Sequence, residues 1–336
     1  MIDAGRETAA MIGQFMERRG TLLLSEQPDI QRRIDRLDGH VSGGGNSLAT
    51  AMAYLPGIVD SGSLSTSISL AQIRRLSGEV KPARFDLWAD VSYTRFQSEG
   101  PGGVSESDGG FARAAFGADW LVNRNLLVGG FFQVDHLSQD IANASGNVSG
   151  TGWLAGPYLT ARLSENLFLD LLAAGGTSSN SIRPDGTYED GFSTVRFMAS
   201  AALQGEWTSG NWTFDPRARF GWFHGRSNAY VDGLGVSIPV VESSIGQFAV
   251  GPGVSYSHPL ESGAVIDTGL RFEAVADILA GSTREDETRF SGRIEARLGI
   301  TTPGGARLSL SAAHSGIGQS GNAATTGRMQ FTVPLN

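Results

Sequence analysis

From Phe85 onward, apolar and polar residues alternate with a period of two, the pattern of strands with one apolar and one polar face. In 195–207, Val195, Phe197, Ala199, Ala201, Leu203 and Trp207 share one parity, and Arg196, Ser200, Gln204 and Glu206 the other. In 212–222, Trp212, Phe214, Pro216, Ala218, Phe220 and Trp222 oppose Thr213, Asp215, Arg217 and Arg219. In 264–274, Ala264, Ile266, Leu270, Phe272 and Ala274 oppose Asp267, Arg271 and Glu273. In 289–300, Phe290, Ile294, Ala296, Leu298 and Ile300 oppose Arg289, Arg293, Glu295 and Arg297. Twelve such runs are predicted, at 85–96, 111–121, 125–136, 151–163, 166–175, 194–208, 211–224, 247–258, 263–275, 288–300, 306–314 and 326–335. Most exceed the ~5–6 residues of soluble strands and reach the ~9–11 that a tilted strand needs to cross a bilayer. The runs at 125–136 and 151–163 alternate poorly, because Phe131 and Phe132 cannot both face lipid, so a bulge or a lumenal aromatic is expected there.

The connections alternate too. Tight ones at 122–125, 164–165, 209–210, 259–262 and 301–305 carry Asn, Gly, Pro and Ser. Longer, polar ones fall between them, near 97–110, 137–150, 176–193, 225–246, 276–287 and 315–325. Short turns on one side and long loops on the other are the habit of outer-membrane barrels. The expected architecture is all-β: a twelve-stranded antiparallel transmembrane barrel over 83–336, preceded by helical and linker segments. The apolar faces carry many Ala and Gly, which suit fluid lipid better than an interdigitated core. Trp120, Trp153, Trp207, Trp212, Trp222 and Tyr256 are the candidate interfacial aromatics, near the predicted strand ends. Trp88 breaks the pattern by falling on the polar parity.

Before residue 83 the texture is different. Ala9, Ile12, Phe15, Met16, Leu22 and Leu23 recur at helical spacing, with Glu17, Arg18 and Arg19 between them. Pro28 suits the start of a second helix carrying Ile30, Ile34 and Leu37. Residues 1–38 are thus a helical segment, a plug or the remnant of an exported domain, and 39–82 a linker partly threading the lumen. Within it, 64–70 alternates like a strand and 71–76 reads as a helix. The segment just before residue 85 is the favoured lumen occupant, which leaves the first helix outside.

Composition narrows the function. The chain has 336 residues, no cysteine and a net charge of −8, which excludes disulfide frameworks and gives no sign of a nucleic-acid partner. No run of about 18 apolar residues suggests a membrane-crossing helix, a test that says nothing of barrels. The first residues, Met1-Ile2-Asp3-Ala4-Gly5-Arg6-Glu7, have no secretory signal, so export predicts a start further upstream. His40, His136, His224, His258 and His314 lack metal-ligand spacing. Gly316-Ile317-Gly318-Gln319-Ser320-Gly321 spells a dinucleotide fingerprint but lies between two strands. Asp277, Glu285, Asp286 and Glu287 read as a solvated acidic loop. No catalytic or metal-binding residue and no cofactor is expected. The polar parity predicts lumen-facing charges at Asp86, Asp90, Arg196, Glu206, Asp215, Arg217, Arg219, Asp267, Arg271, Glu273, Arg289, Arg293, Glu295 and Arg297. Opposite charges on neighbouring strands can pair and hold a plug.

Phe85-Asp86-Leu87-Trp88-Ala89-Asp90 resembles the opening strand of the translocator domain of monomeric autotransporters, the type V secretion family. Phe15-Met16-Glu17-Arg18-Arg19, followed by Pro28-Asp29-Ile30-Gln31-Arg32-Arg33, is similar to the segment before the barrel in alphaproteobacterial members. The resemblance implies an outer-membrane protein of a Gram-negative bacterium that exports and anchors a passenger attached upstream. The implied partners are outer-membrane lipid and the barrel-assembly machinery, with the chain a monomer that binds no nucleic acid. Two features depart from the family pattern. The chain ends in Asn336 rather than an aromatic, although Phe331, Val333 and Leu335 keep the alternation, and it lacks the paired asparagines of self-cleaving members. No autoproteolysis is therefore expected. A stand-alone porin- or adhesin-like barrel and a soluble β-sandwich are the alternatives.

Overall fold

The computed structural model describes residues 2–25, 27–28, 30–37, 62–69, 84–99, 106–141, 146–186, 188–301, 307–318 and 324–332. Two helices, α1 (Ile2–Ser25) and α2 (Ile30–Leu37), precede the strands. The strands are β1 (Gly62–Ser69), β2 (Phe85–Glu99), β3 (Glu106–Asn123), β4 (Leu126–Ile141), β5 (Gly146–Ser164), β6 (Leu167–Arg183), β7 (Asp190–Gly205), β8 (Trp207–Ser209) and β9 (Trp212–Phe214). They continue as β10 (Arg217–Ser227), β11 (Tyr230–Val231), β12 (Ser237–Ile238), β13 (Glu242–Gly251), β14 (Gly253–Pro259), β15 (Val265–Gly281), β16 (Arg284–Thr301), β17 (Arg307–Ile317) and β18 (Ala324–Thr332).

All strands but β11 and β12 belong to one curled sheet. From β2 to β18 each span pairs antiparallel with the next in sequence. Twelve spans result, three of them in two pieces: β7 with β8, β9 with β10, and β13 with β14. The breaks fall together, at Glu206, Asp215-Pro216 and Pro252. Pro216 and Pro252 have no N–H to give to a ladder. Their carbonyls still accept, from Gly205 N (2.9 Å) and Phe272 N (3.0 Å), so the wall stays hydrogen-bonded across the break.

The seam between first and last spans holds a further strand. β1 pairs antiparallel with β2, Ser63 opposite Thr94 through Ser69 opposite Trp88, and parallel with β18 at Gly62 and Ser63. A piece of the linker thus lies in the wall itself, whereas the expected helix at 71–76 lies outside the described residues. The long loops are also shorter than the sequence suggests. β15 and β16 run to Gly281 and from Arg284, so the expected 276–287 loop is mostly hairpin. Outside the apolar zone strands need no alternation, and the period-two reading loses them.

The outer face is apolar. Phe116, Phe132, Val195, Phe197, Phe220, Phe248, Val250, Leu270, Phe272, Leu298 and Ile300 are all exposed, and so are Trp120, Trp153, Trp207, Trp212 and Trp222. Such a continuous apolar surface belongs in hydrocarbon. The ten residue steps from Trp212 to Trp222 span about 33 Å along the strand, which at a tilt of ~40° is a band about 25 Å tall. Aromatics pair at both rims: Trp212 with Tyr256 (4.7 Å between centroids) and Trp207 with Phe214 (6.2 Å) at one, Phe197 with Trp222 (5.6 Å) and Phe132 with Trp153 (6.2 Å) at the other. Trp153 lies seven residues inside β5, not near its end, because β5 continues past the band.

Replacing Phe272 or Val250 by Arg should cost about 2–4 kcal/mol near the mid-plane, whereas the same change at Val231, in the 228–241 loop, should be close to neutral. Urea unfolding in lipid vesicles, followed by the mobility difference between unboiled and boiled samples, measures this.

Candidate functional site: the filled lumen

The lumen is not uniformly polar. On β4 the inward positions carry Leu127, Phe131, Gln133, Asp135, Leu137, Gln139 and Ile141, all buried. Phe131 points inward toward Tyr158 (6.4 Å) while Phe132 is exposed, so the strand alternates without a bulge. The alternation looked poor in the sequence because the inner face is apolar as well. Inside the wall lies α1. Ile12, Phe15, Met16, Leu23 and Leu24 are buried together with Phe192, Phe223 and Ile245 of the wall. Phe15 meets Phe192 edge-on at 6.4 Å. Each such side chain contributes roughly 1.5–3 kcal/mol by leaving water.

The helix sits close to the wall. A Cβ on Gly20 would lie 2.5 Å from Phe223 and 2.6 Å from Ile245, and one on Gly221 would lie 2.9 Å from Leu24. The expectation that the first helix lies outside is therefore corrected: α1 and α2 pack within the barrel. Their stripes need inward partners: α1 finds them chiefly on β7, β10 and β13 (Phe192, Phe223 and Ile245), and α2 lies against β3 to β5. The segment favoured for that place, just before residue 85, lies outside the described residues except Arg84.

Buried charge joins helix to wall at three places. Arg19 donates to Asp135 Oδ1 through Nε (2.6 Å), to Asn180 Oδ1 (2.8 Å) and to the Gly150 carbonyl (3.2 Å). Arg196 donates to the same Asp135 (3.0 Å) and to the carbonyls of Trp153 (2.9 Å) and Thr177 (3.2 Å). Arg33 of α2 pairs with Asp170 (3.1 Å), which also accepts from Thr160 Oγ1 (2.6 Å). Arg36 pairs with Asp119. Trp88 Nε1 donates to Tyr158 OH (2.7 Å), which donates to Asp119 Oδ2 (3.0 Å). Trp88 is thus an inward residue with a polar partner, which explains its parity.

The opposite wall carries charge of another kind. Arg271 lies across from Glu295, Glu273 from Arg293 and Asp277 from Arg289 in the β15–β16 register. Arg217 pairs with Glu273 (2.9 Å), Arg271 with Asp215, Arg293 with Glu295 (3.3 Å), and Arg297 with both Asp215 (3.5 Å) and Glu295 (3.8 Å). Arg219 donates to Gln247 Oε1 (3.0 Å), and Gln247 Nε2 to Asp277 (3.0 Å). Part of this group keeps water contact: the Arg297 side chain is 43% exposed, whereas Arg271 and Glu273 are buried. Asp267 is tied to Ser257 (2.6 Å), and Arg289 reaches Glu17 of α1 at 3.7 Å. Glu206 sits apart, at the break between β7 and β8. The side chains of Asp86 and Asp90 lie outside the described ones.

Of the residues singled out by parity, the structure brings Asp215, Arg217, Arg271, Glu273, Arg293, Glu295 and Arg297 together, and it adds Asp135, Asp170, Arg33 and Arg36, which parity did not single out. One signal existed. Arg19 lies on the same helical stripe as Ile12, Phe15, Met16 and Leu23, and a charge on a buried stripe requires a buried counter-charge. Among the described residues no group of His, Asp and Glu could hold a metal ion.

At the mouth on the long-loop side, the 228–241 loop folds over the start of α1. A Cβ on Gly5 would lie 3.1 Å from the Ser237 carbonyl, and Tyr230 stacks on Phe192 at 6.5 Å. Asp232 organises the loop. It accepts from Leu234 N (2.9 Å) and Val236 N (2.7 Å) and from Tyr188 OH (2.8 Å). Burial pushes its carboxyl up, but these hydrogen bonds outweigh burial and hold it below the usual carboxylate range.

A closed antiparallel barrel with an apolar belt, aromatic rims and a helix inside is an outer-membrane transport barrel by construction. Comparison with known families identifies which. Residues 87–328 match the family model described as "Autotransporter beta-domain". The chain belongs to that family and is an outer-membrane translocator of a Gram-negative bacterium. Three solved folds are similar. The transport unit of AIDA-I from Escherichia coli is 16% identical, over 74% of this chain and 89% of that one, with a TM-score of 0.53. The translocator domain of NalP from Neisseria meningitidis is 14% identical over 87% and 99%, with a TM-score of 0.51. The β-domain of the Bordetella autotransporter BrkA is 14% identical over 74% and 97%, with a TM-score of 0.51. No curated protein matches the chain.

Because the Asp232 pKa is depressed in the fold, its stabilisation of the mouth loop is present above the unfolded carboxylate range. It is lost as pH falls through the folded value. Hydrogen-exchange protection at 228–241, taken relative to the intrinsic rate at each pH, should fall on acidification, and Asp232→Asn should remove that dependence. Separately, Gly20→Leu should overpack the helix seat by about 1–3 kcal/mol, read as faster proteolysis of α1 with the barrel intact.

Proposed function

We propose that the chain represents the translocator after export, with residues 1–38 as a plug and a passenger extending from the N-terminal end of α1. The observation that carries this is the direction of the helix. Its first residues lie against Ser237 of the long-loop side, and α2 lies against Asp119 and Asp170 toward the short-turn side. Long loops face outward in such barrels, so a chain attached before Ile2 emerges at the cell exterior. The charged residues of β10, β15 and β16 act as a polar lining beside the plug and reach it at the Arg289–Glu17 pair. The aromatics at both rims set the depth in the bilayer. The barrel works as a monomer, reaches the membrane through the assembly machinery that reads its C-terminal strand, and performs no chemistry of its own.

The test is surface display. A reporter domain fused before Met1 of the full chain, behind an export signal, should be cut by protease added to intact cells. A reporter protected until the outer membrane is broken would overturn the reading in favour of a stand-alone barrel. Sedimentation of the detergent-solubilised chain should give one copy per particle.

A further inference from the structure

Three wall carboxylates, Asp119, Asp135 and Asp170, sit on an inward face that mixes apolar residues such as Phe131, Leu137 and Phe168 with polar ones such as Arg113, Gln133 and Asn180. Each is buried and each meets an arginine of the N-terminal helices. The three stations lie at two levels. Asp119 is opposite Gly129 of β4, and Asp170 is opposite Thr160, itself opposite Leu127. Asp135 is six to eight residues further along the same wall, roughly 20–26 Å along the strand. The chain covers the interval with the end of α1 after Arg19, about 9 Å of helix, and the connection to α2.

The stations are built by the barrel rather than by the helix. Arg196 holds Asp135 from one side, and is itself held by two backbone carbonyls. Asn180, which orients its amide by donating to Thr194 Oγ1 (2.9 Å), and the Gly150 carbonyl present two further acceptors to Arg19. Thr160 orients Asp170, and Tyr158 orients Asp119 while its ring lies under the Arg33 guanidinium at 4.9 Å. Acceptors spread around one plane, together with an aromatic face, select a planar guanidinium over a point ammonium. The composition agrees: Lys81 is the single lysine of the chain.

We propose that Asp135, Asp170 and Asp119 form a guanidinium-reading ladder, a binding site for an arginine-bearing segment of the exported chain that stops it at one register. A slip of one helical turn, about 5.4 Å, carries a guanidinium out of hydrogen-bond reach of its station and takes one partner from each buried carboxylate. The helix therefore rests at one position and does not slide. Passing arginines find acceptors at these stations, whereas lysines do not. This rests on the translocator reading above and adds the site that ends the movement.

The experiment is single-channel recording of the full chain in planar bilayers. Wild type should be mostly closed. The triple variant Arg19→Lys, Arg33→Lys and Arg36→Lys keeps charge and helix propensity and leaves the wall untouched. It should raise open probability at least about tenfold, a shift of ~1.4 kcal/mol. Argininamide in the bath should open the wild type, and lysinamide at equal ionic strength should not. Equal opening of wild type and triple variant, or equal effects of the two amides, would overturn the ladder, as would a wild type that stays open. If the triple variant yields no heat-modifiable barrel, Arg19→Lys and Arg33→Lys alone are recorded in the same way. Surface display of the fused reporter is scored separately, so loss of display with intact closure refutes the translocator reading and not the ladder.

Discussion

In hydrocarbon an unpaired backbone amide or carbonyl costs several kcal/mol, so a sheet inside a bilayer has to close. Every other feature of this chain follows from that requirement. The spans pair in sequence order, the proline breaks at Pro216 and Pro252 pass their carbonyls to neighbouring strands, and β1 fills the seam between β2 and β18. Closure also separates two surfaces. The outer one is decided by lipid and carries the exposed Phe, Val and Trp side chains. The inner one is decided by whatever the barrel encloses.

What it encloses differs around the circumference. From β3 round to β13 the lumen is a protein core, with α1 packed chiefly on side chains of β7, β10 and β13 and the two helices joined to β3, β4 and β6 by buried ion pairs. On the β15–β16 side it is a ladder of arginines and carboxylates, buried at Arg271 and Glu273 and in contact with water at Arg297. The same twelve spans thus combine a dry, shape-specific seat and a wet, charged lining. The dry side holds the chain in place, because close contacts at Gly20 and Gly221 and charges at Asp135 have one good arrangement. The wet side is tolerant, because its charges satisfy one another.

The mouth loop shows the same economy. Asp232 ties the 228–241 turn together through its own neighbours and Tyr188, and the aromatic series Phe15, Phe192 and Tyr230 joins loop, wall and helix. Loop and plug are therefore one packing unit, and movement of α1 would have to disturb both.

Period-two patterning was enough to read the β-barrel and its twelve spans, since a lipid-facing strand obeys one local rule along its length. It also placed two helices at the N-terminus. The inner apolar face of β4 was illegible for the same reason: where both faces are apolar, alternation vanishes, and Phe131 beside Phe132 looked like an irregularity. Extended hairpins beyond the membrane band read as loops because water imposes no pattern on them. The occupant of the lumen, the pairing of Arg19, Arg33 and Arg36 with Asp135, Asp170 and Asp119, and the strand at the seam are contacts between residues scores of positions apart. Only the closed tertiary structure brings them together, because it alone sets which strand faces lie across the lumen from the helix.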